Sequence, residues 1–385
     1  MRVYLDWNAT TPLRDEARAA MLAAMDAVGN PSSVHDEGRK ARRLVEDARA
    51  AVAWAVGAEA RQVVFTSGGT EANVMALVPG TARKGSLPVE RLIISAVEHP
   101  SVMAAGRFLA DATTVLDVDR NGVVDPTRLR ALLADGVPAL VSVMAANNET
   151  GAQQPIAEIA QVVREAGGIL HVDAVQALGK IPIDINELQV DLLSISAHKI
   201  GGPKGVGALV IGNNVTNPEP LLRGGGQELS RRAGTENVIG IAGFSAAVKA
   251  AIAGLPDMAK ITELRRFLEA GLRQHNGVTV FAEDAPRLPN TILFGASGLR
   301  AETAVIGFDL EGISVSSGSA CSSGKVQPSH VIAAMGFGPE LTRSAIRLSL
   351  GWSTTHEDVD RCLEAWKKLS GTLLKQSDET EVERF

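Results

Sequence analysis

The residues of this chain best suited to chemistry fall at the ends of short apolar runs. Val63–Thr66 leads into Ser67-Gly68-Gly69-Thr70-Glu71-Ala72-Asn73, and Arg91–Ser95 into Glu98-His99-Pro100. Ala139–Met144 leads into Asn147-Asn148-Glu149-Thr150-Gly151, Ile169–Val172 into Asp173-Ala174-Val175-Gln176, and Asp191–Ser196 into Ala197-His198-Lys199. Any one of these could be a loop that satisfies its own backbone. So many on one rim of a sheet point to a ligand, because open α/β sheets bind ligands beyond the carboxyl ends of their strands.

Each group has a plain reading and a chemical one. The Gly68-Gly69-Thr70 turn would open a helix whose free N–H groups suit a phosphate; alone, it reads as a glycine turn with Thr70 as helix N-cap. Asp173 closes an apolar strand, where an unpaired carboxylate is costly. It is either a buried, hydrogen-bonded structural residue or a partner for a protonated pyridinium nitrogen. A lone lysine is ordinarily a solvated charge, yet a partly desolvated one has a lowered pKa and forms Schiff bases. Lys199 gains that second reading because a phosphate cradle, a carboxylate and a histidine accompany it in one strand order.

The chain has two cysteines, far apart and without CxxC spacing, so neither a disulfide framework nor a cysteine-rich zinc site is expected. No metal site is predicted. Cys321 sits in Ser314-Val315-Ser316-Ser317-Gly318-Ser319-Ala320-Cys321-Ser322-Ser323-Gly324-Lys325, a run of small residues that reads as a mobile loop. Lys325 nearby would favour its thiolate. Cys362 is the contrast: with Val359, Leu363 and Trp366 it follows i, i+3, i+4, i+7 spacing, as an inert core thiol on a helix does.

The elements that must position these groups alternate strand and helix. Amphipathic stretches at Asp36–Val56, Pro126–Ala134 and Ile156–Ala166 separate the apolar runs, which predicts an α/β fold with a parallel sheet covered on both faces. After Gly201-Gly202-Pro203-Lys204-Gly205, Val206–Ile211 could return as an antiparallel strand. The texture changes near Gly254-Leu255-Pro256-Asp257. Beyond it a helix is predicted at Lys260–Gln274, with strands near Val278–Phe281, Thr291–Phe294 and Ile346–Ser349, forming a smaller α+β domain joined by the N-terminal segment. At 385 residues, 45% hydrophobic and 21% charged, the chain can bury substantial cores. A net charge of −6 with only short basic clusters argues against nucleic acid. No apolar run approaches the roughly 20 residues of a membrane span, and the N-terminus lacks a signal-peptide pattern. A cytoplasmic protein without a membrane partner is expected.

From Tyr4-Leu5-Asp6 to a helix ending near Leu369, the chain resembles the cysteine desulfurases of the NifS/IscS type, within the class V aminotransferase-like, fold-type I pyridoxal-phosphate (PLP) enzymes. The most specific parts are Ser196-Ala197-His198-Lys199 leading to Gly202-Pro203-Lys204-Gly205, and Ser316-Ser317-Gly318-Ser319-Ala320-Cys321. Gly224-Gly225-Gly226-Gln227-Glu228 and Arg232-Ala233-Gly234-Thr235-Glu236-Asn237 are also similar to this group. The long Ser/Gly cysteine loop resembles the NifS/IscS branch rather than the SufS branch.

The resemblance implies a large domain over residues 12–256, with a mostly parallel seven-stranded sheet between helices. It implies a smaller domain from residues 1–11 and 257–385 that includes a mobile cysteine loop, 314–330. Lys199 would hold PLP as a Schiff base and later move the Cα proton, while His99 would stack on the pyridine ring and assist proton transfer. Asp173 would pair with the ring nitrogen and Gln176 with the ring hydroxyl. Gly69, Thr70, Ser196 and His198 would hold the phosphate, joined by Thr235 from the other subunit of a homodimer. Asn148 would lie near the ring hydroxyl and the substrate carboxylate, which Arg347 would bind bidentately; Arg347's alternative is a surface ion pair. The implied reaction takes sulfur from L-cysteine, leaves L-alanine and a Cys321 persulfide, and passes the sulfur to an acceptor such as an iron–sulfur scaffold protein. The Arg231–Asn237 wording leans towards nitrogenase maturation, although general iron–sulfur assembly and tRNA thiolation begin from the same persulfide. The nearest rival is another PLP enzyme of the same superfamily, an aminotransferase or a selenocysteine lyase; an aminotransferase has no need of a thiol in a Ser/Gly loop, whereas cysteine desulfurases commonly accept selenocysteine. A non-catalytic phosphate binder has no need of Lys199.

Overall fold

The computed structural model describes residues 2–275, 277–318 and 328–374; Cys321, Lys325 and the segment 375–385 lie outside them. The main sheet has seven strands in the spatial order Val63–Thr66, Gly207–Ile211, Leu192–Ser196, Ile169–Asp173, Ala139–Met144, Arg91–Ser95, Thr113–Leu116. Neighbours run parallel, except that Gly207–Ile211 is antiparallel to the strand on either side. Val63–Thr66, Ala139–Met144, Ile169–Asp173 and Leu192–Ser196 are buried at every residue. A strand covered on both faces needs a continuous apolar run rather than alternation, which is why these stood out in the sequence. Thr113–Leu116 did not: it is an edge strand with Thr114 and Val115 exposed.

Side chains alternate between the two faces of the sheet. Ile93, Val141, Val143, Val172 and Leu193 join one apolar cluster, whereas Leu92, Ile94, Leu140, Ile169 and Leu192 join another. The helix Asp36–Ala55 buries Ala41, Val45, Ala48 and Val52 at helical spacing, and the helix Val238–Ala253 packs against it and against Asp15–Met25. Val238–Ala253 is apolar around much of its circumference, so it carries little of the periodicity by which a helix is recognised. Among the described residues no single helix is long and apolar enough to cross a membrane.

A separate core gathers Val3 and Leu5 with Leu264, Leu268, Ile292, Phe294, Phe308, Ile346, Leu348, Cys362 and Trp366. Its sheet runs Ser316–Ser317, Ile346–Ser349, Thr291–Ala296, Val278–Val280, antiparallel throughout. Val3–Tyr4 pairs in parallel with Ile313–Ser314, so the chain's first residues belong to the core built from its last third. The chain then crosses to the main sheet through Asp6–Thr11. Trp7 seats its ring against the bare Cα of Gly351, where a Cβ would come within 1.9 Å of the indole, and meets Trp352 edge-on at 4.6 Å.

The helix His356–Leu373 begins with a Thr355–Asp358 capping box and drives Trp366 into the second core. The indole lies 5.0 Å from Phe294 and stacks with Phe308 at 6.3 Å. Cys362, on the same face, is fully buried, and burial pushes its thiol up to about 12. Trp366→Ala is expected to cost about 3–5 kcal/mol of stability, read from urea unfolding. Cys362 should stay unreactive to a water-soluble thiol reagent until the chain unfolds.

Candidate active site

The carboxyl ends of the parallel strands and the crossing segment Asp6–Ala9 enclose a cavity of about 550 Å³. Gly69, Thr70, His99, Asn148, Asp173, Gln176, Ser196, His198, Lys199 and Arg347 all line it. These residues come from separate strand ends, and the fold alone brings them together.

Lys199 ends a short 3-10 turn, Ala197–Lys199, that continues the strand Leu192–Ser196. Its Nζ donates to the carbonyls of Asn8 (2.5 Å) and Ala9 (2.8 Å). Burial first, and then the charge of Arg347, push its pKa down to about 8 against the opposing pull of Asp6 and Asp173. Such an amine is substantially neutral, and so nucleophilic, in mildly alkaline water.

Asp173, at the end of Ile169–Asp173, is buried. Its Oδ1 accepts from the Val175 N–H at 2.9 Å, and Oδ2 from Asn73 Nδ2 at 2.7 Å. The same Asn73 nitrogen donates to Ser101 Oγ at 2.9 Å. Ser101 Oγ lies 2.7 Å from His99 Nδ1, which also accepts from the Ser101 N–H at 3.2 Å. Because Nδ1 accepts, the neutral imidazole carries its hydrogen on Nε2. Burial lowers the His99 pKa, with Asp173 pulling the other way. Asn73 therefore couples carboxylate and imidazole through one amide nitrogen.

At the other end, the helix Gly69–Ala76 starts directly after the Val63–Thr66 strand with Gly68 as its N-cap. Thr70 is thus the second helical residue rather than the cap. Glu71 Oε2 accepts from the Ser67 N–H at 2.7 Å, and Glu71 Oε1 from Arg232 Nε at 2.9 Å, which holds this turn in place. Gly207 of the antiparallel strand must lack a side chain here, since a Cβ would approach Gly68 to 2.6 Å. His198 Nδ1 lies 3.2 Å from Thr10 Oγ1, and burial holds its pKa down at about 4. Ser196 Oγ is buried with no hydrogen-bond partner among the described residues.

Arg347 lies inside the strand Ile346–Ser349 and is buried. Its Nη2 pairs with Asp6 Oδ1 at 2.9 Å and its Nη1 donates to the Asn148 carbonyl at 3.1 Å. The surface ion pair considered from sequence is therefore an internal one, at the cavity wall. Gln176 Nε2 donates to the Asn8 carbonyl at 2.9 Å.

Not every expected residue arrives here. Thr235 is exposed and does not line the cavity of its own chain, and Cys321 lies outside the described residues. Val315, Ser316 and Ser317, which precede the cysteine, do line the cavity. Sequence reasoning missed Asp6, Asn8 and Asn73 as site residues. Their available signal was polar side chains beside apolar residues with no local partner: Asp6 and Asn8 flank a buried tryptophan, and Asn73 lies on the buried side of its helix.

A family model, Aminotransferase class-V, matches residues 3–362. The chain is 44% identical over 374 residues to a cysteine desulfurase IscS of Dictyoglomus turgidum, covering 95% of this chain and 94% of that protein. A NifS-like protein from Rickettsia africae, solved by X-ray crystallography, superposes with a TM-score of 0.87 at 37% identity, over 97% of this chain and all of the other. SspA, solved in complex with cysteine, superposes with a TM-score of 0.76 at 29% identity, over 90% of this chain and 98% of that one.

The depressed pKa of Lys199 is open to direct measurement. Reductive methylation by formaldehyde and a hydride donor, followed by peptide mass spectrometry, should label Lys199 with a rate that rises through pH about 8. A lysine in a free peptide, run alongside as the reference, should rise only towards the ordinary range near about 10.4. A Lys199 profile that tracks the peptide reference would contradict the burial effect.

Proposed function

The chain belongs to the class-V aminotransferase family and, within it, to the cysteine desulfurases; from that premise we propose how its own residues hold PLP and take sulfur from L-cysteine. The observation that carries the reading is a pair. Lys199, an amine lowered to about 8, and Asp173, a buried carboxylate whose donors among the described residues are both neutral, line one cavity.

The residues present fit PLP. A buried anion with only neutral donors suits a pyridinium N–H. The N–H groups opening the Gly69 helix, with the unpartnered Ser196 hydroxyl and His198, suit a phosphate. Lys199 would hold the cofactor through its Nζ, His99 would lie against the ring, and Gln176 and Asn148 would meet its oxygen substituent. PLP, when bound, supplies an electron sink for the charge left when the substrate's Cα proton departs.

The chain's own groups do the rest. Arg347, braced by Asp6 and the Asn148 carbonyl, presents its remaining N–H groups to the substrate carboxylate. Lys199 Nζ would take the Cα proton, and His99 Nε2–H would assist its transfer. The Cys321 thiolate attacks the substrate Sγ. A sulfur–sulfur bond forms, the Cβ–Sγ bond breaks, and its electron pair stays with the carbon skeleton, which is protonated to L-alanine. Cys321 is left as a persulfide, which passes its outer sulfur to an acceptor protein such as an iron–sulfur scaffold. In this reading residues 12–256 form the cofactor domain, and residues 1–11 with 257–385 form the smaller one. Thr235, exposed and away from its own cavity, serves the phosphate site of a second copy in a homodimer. The setting is the cytoplasm, and the Arg231–Asn237 wording favours nitrogenase maturation as the acceptor route.

The purified protein should take up PLP with a visible absorbance, and form sulfide and alanine from cysteine in the presence of a thiol reductant. Lys199→Ala should lose the lysine-linked absorbance and the activity. Cys321→Ala should keep the absorbance and lose sulfide release by at least about a hundredfold. Full activity in Cys321→Ala would sink the persulfide route, and a wild-type chain that takes up no PLP would sink the cofactor assignment.

A further inference from the structure

Lys180 is a buried lysine that the reaction described above does not use. It follows Gln176 by one helical turn, in the segment after the Ile169–Asp173 strand, and its whole residue is 8% exposed. Its Nζ donates to Gln176 Oε1 at 2.8 Å and to Asn8 Oδ1 at 3.1 Å. Burial pushes its pKa well below the ordinary lysine value, and the charges of Lys199 and Arg347 push the same way. Burying an amine among other cations is unfavourable unless its hydrogen bonds matter.

What those bonds do is settle which way an amide faces. A glutamine side chain has an oxygen that only accepts and a nitrogen that only donates. Lys180 donates to Oε1, and the Asn8 carbonyl accepts from Nε2 at 2.9 Å. Turning the amide over would set two donors against each other at Lys180 and two acceptors against each other at Asn8. Both a neutral amine and an ammonium can supply the two N–H groups required, so the orientation does not depend on Lys180's charge. The Asn8 carbonyl uses one hydrogen of Gln176 Nε2 and leaves the other for the cavity that Gln176 lines.

We propose that Lys180 is a positioning residue that holds the Gln176 amide with its N–H side towards the cavity, and so fixes a hydrogen-bond donor for the cofactor's ring oxygen. This rests on the PLP reading above. Lys180 touches neither cofactor nor substrate; it acts through Gln176, with Asn8 as the second anchor.

The test is a double-mutant cycle on PLP affinity, measured by titrating the apo chain with PLP and following the visible band. Lys180→Met, which keeps the length and removes the donors, should weaken PLP binding by roughly tenfold, the worth of about one hydrogen bond. Gln176→Ala should weaken it comparably. The double variant should be no weaker than Gln176→Ala, because the lysine then has no amide to orient. A purely structural lysine would lower affinity by the same factor in both backgrounds, and that result, or an unchanged affinity in Lys180→Met, overturns the proposal. If Lys180→Met does not fold, Gln176→Glu decides. With Lys180 in place its carboxylate replaces the cavity's donor with an acceptor, so PLP binding should fall below that of Gln176→Ala; equal or tighter binding overturns the proposal. A wild-type chain that binds no PLP fails the underlying reading instead.

Discussion

The buried amide of Asn8 is the joint on which the site depends. Its Nδ2 donates to Thr291 Oγ1 and the Asn148 carbonyl, and its Oδ1 accepts from Lys180 and Asn290 Nδ2. Its backbone N–H donates to Ser349 Oγ, and its carbonyl accepts from Gln176 and Lys199. Both side-chain hydrogens and both side-chain lone pairs are thereby used. The partners come from two strands of the second core, from the loop after Ala139–Met144, and from the segments that follow Ile169–Asp173 and Leu192–Ser196. One residue thus fixes the distance between Arg347's strand and Lys199's turn. Its loss would leave several buried polar groups unpaired at about 1–3 kcal/mol each, which makes it costly to replace by any residue without the same donor and acceptor pattern.

Around that joint the charges are arranged so that burial does chemical work. Arg347 lowers the proton affinity of Lys199, and Arg347 and Lys199 together lower that of Lys180, each adding to the effect of burial. Asp6 pairs directly with the Arg347 guanidinium. A lowered proton affinity is what a lysine nucleophile needs. Both histidines at the cavity are also pushed towards neutrality by burial. A neutral His99 with its hydrogen on Nε2 can give a proton or lie against a cationic ring, whereas an imidazolium would repel that ring.

What the sequence displayed and what it hid follow one physical line. Strands buried on both faces need unbroken apolar runs, so the central strands were legible nearly to the residue, and with them the polar groups at their ends. The half-exposed edge strand Thr113–Leu116 and the broadly apolar helix Val238–Ala253 carry no such signature. In the site, Lys199, Asp173 and His99 were legible because each ends a strand or lies within four residues of one. Asn8 and Asn73 act through partners distant in the chain: Asn8 meets Lys180 across 172 positions, and Asn73 meets Asp173 across 100. Pairings of that range are set by the closed fold and leave no local spacing to read. The thiols were separable for the opposite reason, since the helical spacing around Cys362 is local and the structure buries it completely.

The same reasoning explains two buried acids beside the cavity. Glu98 is raised to about 8, chiefly by burial, with Ser95 Oγ and the Met144 N–H both donating to its Oε1. Its other oxygen has no partner among the described residues, as fits a carboxyl that keeps its proton at neutral pH and needs no cation there. Glu149 is raised by burial to about 7, with Ser329 Oγ 2.5 Å from Oε2 and Arg347 opposing the shift. An ionised Glu98 would compete with Asp173 for the field at Asp173's end of the cavity. Keeping Glu98 protonated leaves the negative potential at that end to Asp173, whose two neutral donors hold it without cancelling its charge. A carboxylate so placed favours a protonated pyridine nitrogen, and that proton is what gives the ring its capacity to accept electrons. With PLP bound, its electron sink would thus rest on Glu98, which burial keeps protonated, as well as on Asp173.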